Sequence, residues 1–416
     1  MSQLLVEFPL TGPLVRNNLL ARGADGVLRY GNLTPALTEL LDLQMHAFAT
    51  REAVVEVGGP RLTYRQLWHS ASRIAGGLQE QGIGYGDRVA IAMPSGVAWV
   101  QAFLGALLSG AVPVLMCHGE TEPVAARVLA DSRADLVLGR TGAEVELPDG
   151  AAYIDDGASL GDLALLCYTS GAATPKGVEL TNENLLSAVR SVVAALDLPT
   201  DGLRNLVLLP LAQAGGCVDQ LLPTFAVGGT VVLARKVCDV AEALSAERVD
   251  MVSATPQIFA GLLPALAGLR ADGLRTEAVA RISKAVHRAE CAAAPAIPVD
   301  LTIELHGLFP AARQWSVWGA TETSGIGLAV DDAERAADRR DSVLGFPFGG
   351  TELALCGPHA TAGSGELLCR GPSVTPRYWN DPAMTAARFT GTWFHTGDQV
   401  TIDADGLVRR ERVSVE

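Results

Sequence analysis

Residues 165–178 read LLCYTSGAATPKGV, an apolar run that ends in a loop of glycine, hydroxyl-bearing residues and one lysine. Such a loop lets backbone N–H groups approach oxygen anions, while its hydroxyls donate further hydrogen bonds and its lysine supplies a mobile point charge. Lysine is scarce here: among 416 residues with 32 Lys+Arg, only Lys176, Lys236 and Lys284 are lysine. The common nucleotide signature GxxxxGK[ST] does not apply, because Lys176 is followed by Gly177 and Val178. Taken alone, the stretch reads as readily as a strand-to-helix turn as it does as a phosphate cradle.

Working outward, helical and short apolar segments alternate from about residue 50, as they do where crossover helices cover a parallel sheet. Thr63 caps an expected helix through LTYRQLWHSASRIAGGLQ, and RVAIAM (88–93) reads as a strand. GVAWVQAFLGALL is the next helix, and AVPVLM, PVAARVLADSRA and DLVLG repeat the unit. LALLCY (163–168) is expected to open a second series, which continues through a helix after Thr181 and the strands NLVLLP (205–210) and TVVLA (230–234). After about Asp341 the texture changes to short strands between Gly and Pro turns, TELALCG, GELLCRGP and GLVRR. The expected fold is α/β: two packed α/β subdomains with mainly parallel sheets over 1–340, then a small β-barrel-like subdomain over 341–408. Residues 409–416 are expected to begin a hinge.

Composition narrows the function. A net charge of −14 and a pI near 5.0 leave no basic stripe for a nucleic-acid backbone. Seven cysteines without a CxxC pair predict reduced core thiols rather than a disulfide frame or a zinc site. No signal-peptide pattern opens the chain, and the best membrane candidate, residues 98–116, is interrupted by Gln101, Ser109, Gly110 and Pro113. The expected setting is cytoplasmic, with neither nucleic acid nor membrane as partner.

Three further motifs follow the loop: WGATETSG (318–325), GELLCRGPSVTPRYWNDP (365–382) and WFHTGD (393–398). With them the chain resembles, from about residue 48 onward, the adenylate-forming enzymes: acyl- and aryl-CoA synthetases, nonribosomal-peptide adenylation domains and luciferases. The resemblance implies ATP-dependent activation of a small carboxylic acid to an acyl-adenylate. Transfer to coenzyme A or to a phosphopantetheine thiol of a carrier protein would follow. It implies that Thr169, Ser170, Gly171, Thr174 and Lys176 surround the β- and γ-phosphates. Glu322 would hold Mg²⁺, Thr321 would lie near the α-phosphate, Trp318 and Gly319 would meet adenine, and Asp398 would accept the ribose hydroxyls. Lys176, Thr321 and Glu322 are therefore the expected catalytic groups. A carboxylate attacking an already anionic phosphorus requires metal and cation to take up the charge that spreads over the phosphate oxygens. Without its companion motifs, Asp398 would read as a turn residue.

The chain also departs from the family pattern. Where relatives read SGTTGxPKG it reads SGAATPKG, one residue shorter, with Ala172 and Ala173 in place of two hydroxyl donors. HRAECAAAPAIP (287–298), with His287, Ala292 and Ala293, stands where a glycine turn usually lies against adenine. In LPLAQAGGCVDQLLP (209–223), Gln213 takes the place of the histidine or aromatic that often gates the acyl pocket. Gln213, Gly216, Ala320 and Gly325 are the expected pocket lining, and the segment lacks the Phe-Asp pair by which amino-acid-activating relatives hold an α-ammonium. No lysine follows Lys284, so the lysine of the family's C-terminal domain is expected to be absent from these residues; Arg412 would match the hinge arginine and touch the nucleotide. Two other readings stand beside the enzyme: a degenerate nucleotide-binding or scaffold homologue, and a protein that needs a C-terminal domain in trans.

Overall fold

Thr63 opens the first long helix as expected. Its hydroxyl accepts from the Gln66 N–H, and the Gln66 side chain accepts from the Thr63 N–H, closing a capping box at the head of Tyr64–Glu80. That helix buries Tyr64, Leu67, Ala71, Ile74 and Leu78, the i, i+3, i+4 stripe of an amphipathic helix. It packs on Val97–Leu108, whose residues are almost all buried. The computed structural model describes residues 4–15, 19–139, 146–151, 153, 157–169, 174–200, 202–271, 288–292, 299–310, 312–331 and 343–411.

Two sheets carry the architecture. Among the described residues the smaller has five strands, in the order Gly177–Thr181, Leu163–Tyr168, Val112–Leu115, Arg88–Ile91, Leu136–Leu138. It is parallel except for the antiparallel pair of its first two strands. The sequence assigned LALLCY to the start of a second series. Instead it completes the first sheet, pairing in parallel with Val112–Leu115. A strand's own pattern records burial on both faces, not the identity of the neighbour.

The larger sheet has fifteen strands among the described residues. Its parallel part runs Glu52–Glu56, Thr230–Leu233, Arg204–Val207, Met251–Ala254, Arg288–Ala292, Arg313–Ala320. From Arg313–Ala320 it continues antiparallel through Gly325–Asp331, Val343–Pro347, Val408–Arg410, Trp393–Ile402, Ser364–Arg370, Glu352–Cys356 and Leu5–Phe8. The C-terminal strands extend this sheet, and their pairing among the described residues is an open path ending at Leu5–Phe8, so the expected small barrel is not confirmed. Short strands between turns predict antiparallel pairing but not closure, which depends on which edge meets which. No helix among the described residues is long and apolar enough to cross a membrane.

Candidate active site

The LLCYTSGAATPKGV stretch is a β-hairpin. Leu163–Tyr168 pairs antiparallel with Gly177–Thr181, and the loop between them is closed at its base by two hydrogen bonds. The Thr169 N–H donates to the Lys176 carbonyl at 3.0 Å, and the Lys176 N–H to the Thr169 hydroxyl at 3.0 Å. The Lys176 ammonium makes no ion pair among the described residues, and Thr174 is exposed beside it. Ser170, Gly171, Ala172 and Ala173, expected in the same loop, lie outside the described residues, as do His287, Ala293 and Arg412.

Glu322 reaches this hairpin through a tyrosine that the sequence reading quoted but did not single out. Tyr378 forms a backbone bridge with Val178, two residues past Lys176, and its hydroxyl donates to Glu322 Oε1 at 2.5 Å. Burial raises the Tyr378 phenol well above its ordinary pKa, and the adjacent Glu322 charge adds to this, so the group remains a donor. Glu322 sits in the single turn Thr321–Thr323 and is 8% exposed. The turn is held to the 373–375 segment: the Thr375 N–H donates to the Glu322 carbonyl at 2.8 Å and the Ser324 hydroxyl to the Ser373 carbonyl at 2.6 Å. Thr321 is half-buried at the head of the turn. One hard carboxylate suits Mg²⁺, which commonly takes one or two carboxylates and completes its shell with water and substrate phosphate. No cluster of three or more His, Cys, Asp or Glu able to hold a metal occurs among the described residues.

Four residues before Glu322, Trp318 points its indole N–H at Asp398, with Nε1 3.1 Å from Oδ2. Arg410 donates to the other oxygen, Oδ1, at 2.7 Å. The arginine that meets Asp398 is thus Arg410, delivered by antiparallel pairing of Trp393–Ile402 with Val408–Arg410. Trp318 is 3% exposed, its ring packed in the core where Gly327 leaves room for it. Gly319 is exposed and tightly constrained, since a Cβ there would fall 1.6 Å from the Gly325 carbonyl oxygen.

The family profile described as AMP-binding enzyme matches residues 41–157 and 143–379. The chain belongs to the AMP-binding enzyme family. It is 32% identical over 388 residues to the feruloyl-CoA synthase of Amycolatopsis sp, covering 87% of this chain and 74% of that protein. To the long-chain-fatty-acid–CoA ligase FadD13 of Mycobacterium tuberculosis it is 28% identical over 386 residues, 84% of this chain and 72% of that one. The fold matches the solved N-terminal domain of FACL13 from Mycobacterium tuberculosis with a TM-score of 0.77 at 24% identity, covering 91% of this chain and 100% of that one. Chemistry of this family is ATP-dependent activation of a carboxylic acid, with acid–thiol ligation as its outcome.

In this member of the AMP-binding enzymes the expected acid-pocket residues fall on three elements, the short helix Ala214–Gly216 and the strands Arg313–Ala320 and Gly325–Asp331. Gln213 precedes the short helix Ala214–Gly216, and its amide lies 3.8 Å from the Cys117 sulfur. Burial, aided by Glu120, raises the Cys117 thiol above its ordinary pKa, which makes it a weak nucleophile. Gly216 has a packing reason to be glycine, because a Cβ would meet the Pro210 carbonyl oxygen at 2.1 Å. Gly325, at φ +102, leaves space for the buried carboxylate of Asp219, whose Oδ1 accepts from the Ile326 N–H at 3.1 Å. Ala320 is half-buried between Gly319 and the Glu322 turn. Asp219 and Tyr378 were missed although both stand inside quoted motifs; the only sequence signal was for Asp219, a carboxylate in a largely apolar run.

Proposed function

We propose that this AMP-binding enzyme joins ATP to a small carboxylic acid at the Lys176–Glu322–Asp398 constellation and passes the acyl group to a thiol of coenzyme A or a carrier protein. The observation that carries the reading is the chain of contacts from the hairpin base through Tyr378 to Glu322. It supports a phosphate loop and a metal ligand acting on one nucleotide. A carboxylate oxygen of the acid bonds to the α-phosphorus as the bond to pyrophosphate breaks; AMP leaves later, when the thiolate attacks the acyl carbon. Lys176 and Thr169 are assigned to the departing β- and γ-phosphates, with Thr174 beside them. Thr321 is assigned to the α-phosphate, Glu322 to the metal and Asp398 to the ribose. Mg²⁺, when bound, neutralises charge on the phosphate oxygens. Gln213, Gly216, Ala320 and Gly325 are assigned to the acid. An aryl acid is the first class to try, since the relative at 32% identity is named for a feruloyl group.

The test is ATP–pyrophosphate exchange over a panel of aryl and aliphatic acids. Acid-dependent exchange is expected, with Glu322→Gln slowing it by on the order of 10²–10³, the usual cost of one lost electrostatic stabiliser. ATP binding without exchange for any acid, alone or with a relative's C-terminal domain added in trans, would move the protein to the class of non-catalytic nucleotide binders.

A further inference from the structure

Resting on the nucleotide reading above, we infer that Trp318 is a positioning residue for the ribose, acting through Asp398. A carboxylate offers about four lone-pair sites. Trp318 Nε1 occupies one on Oδ2 at 3.1 Å and Arg410 one on Oδ1 at 2.7 Å. Among the described residues that leaves one site on each oxygen, and a ribose presents two adjacent hydroxyls. The remaining sites open outward: the Asp398 side chain is 25% exposed, whereas Trp318 is 3% exposed.

Burial makes the arrangement hold. A buried indole N–H left without an acceptor carries a desolvation cost, and here Asp398 removes it, whereas the buried Trp99 and Trp315 N–H groups have no partner among the described residues. Trp318 lies on the Arg313–Ala320 strand, in the interior of the long sheet, so its ring has little freedom. The backbone next to Asp398 is also held: the Glu366 carboxylate accepts from the Gly397 N–H at 3.1 Å and lies 3.0 Å from His395 Nδ1, and the Asp398 N–H donates to the Thr396 hydroxyl at 3.1 Å. The carboxylate is therefore oriented before any ligand arrives, which spares that ordering cost on binding.

The measurement is calorimetric binding of Mg·ATP and of its 2′,3′-dideoxy analogue. The unmodified chain binds ATP more tightly than the analogue. Trp318→Phe keeps an aromatic ring and deletes the donor; ATP affinity is expected to fall by about tenfold while the analogue's affinity is unchanged, so that discrimination collapses. Arg410→Gln should narrow the same ratio, and it serves as the readout if Trp318→Phe fails to fold. A loss that is equal for both nucleotides in these variants identifies a stacking or structural role and overturns the inference, as does no loss for either. If the unmodified chain fails to bind ATP at all, the nucleotide reading itself falls, a result distinct from failure in the variants alone.

Discussion

Tyr378 hands its hydrogen bond to a Glu322 carboxylate that is almost fully buried, so the donor and the charge depend on one another. Hydrogen bonds to charged groups contribute about 1.5–3 kcal/mol, and a buried carboxylate stripped of its donor forfeits that amount. Tyr378→Phe is accordingly expected to lower the unfolding free energy of the ligand-free protein by a value in that range. Mg·ATP should return part of the loss, because a cation at Glu322 takes the place of the missing donor. Urea unfolding with and without Mg·ATP checks both statements; an unchanged ligand-free midpoint would mean the bond contributes nothing. Tyr378 was legible only as a letter in the GELLCRGPSVTPRYWNDP motif. Its function depends on a partner 56 residues earlier, and no local pattern encodes that distance.

Among the elements, the strand pair Glu352–Cys356 and Ser364–Arg370 places Glu352 directly opposite Arg370. Arg370 Nε donates to Glu352 Oε2 at 3.0 Å, and Arg22, on the short strand Leu20–Arg22, donates to Oε1 at 2.7 Å. Burial pushes the Glu352 carboxyl up, but the two guanidinium hydrogen bonds outweigh it and hold the group below its ordinary pKa. A carboxyl with a lowered folded-state pKa stabilises the fold above its unfolded pKa and ceases to do so as pH falls through the folded value. Stability should therefore decline from about pH 4.5 downward, and Glu352→Gln, less stable at neutral pH, should decline less steeply over that interval. Chemical unfolding at pH 3 to 7 measures it, and parallel slopes for the two proteins would exclude a Glu352 contribution. The alternation within TELALCG and GELLCRGP announced two strands. It did not announce that they would extend the long sheet, because the same alternation serves an open sheet and a closed barrel.

For the whole molecule, the hairpin bearing Lys176 belongs to the five-stranded sheet, while Glu322 adjoins strands of the fifteen-stranded one. A nucleotide held by both joins the two sheets, so its binding should register in the stability of the whole chain. Mg·ATP at about 100 times its Kd adds about 2.7 kcal/mol to a protein that binds it only when folded. The melting temperature of the chain should rise accordingly. At the same ATP concentration Lys176→Ala should show a smaller rise, matching a tenfold or greater loss of affinity, about 1.4 kcal/mol. An identical shift in both proteins would remove Lys176 from the phosphate site.

The amino-acid sequence by itself determined the α/β class, the helix starts at Thr63 and Thr181, and the family, because these rest on local periodicity, caps and motifs whose residues are neighbours in the chain. It also marked Lys176, Glu322 and Asp398, each inside a short motif. Only the tertiary structure decided that LALLCY closes the first sheet and that the C-terminal strands extend the second. The same holds for Tyr378 bridging the hairpin to Glu322, and for Trp318 with Arg410 holding Asp398. Each of these outcomes depends on a hydrogen bond or strand pairing between residues distant in sequence. Which partners meet is set by packing and register, and neither is written in the pattern of one segment.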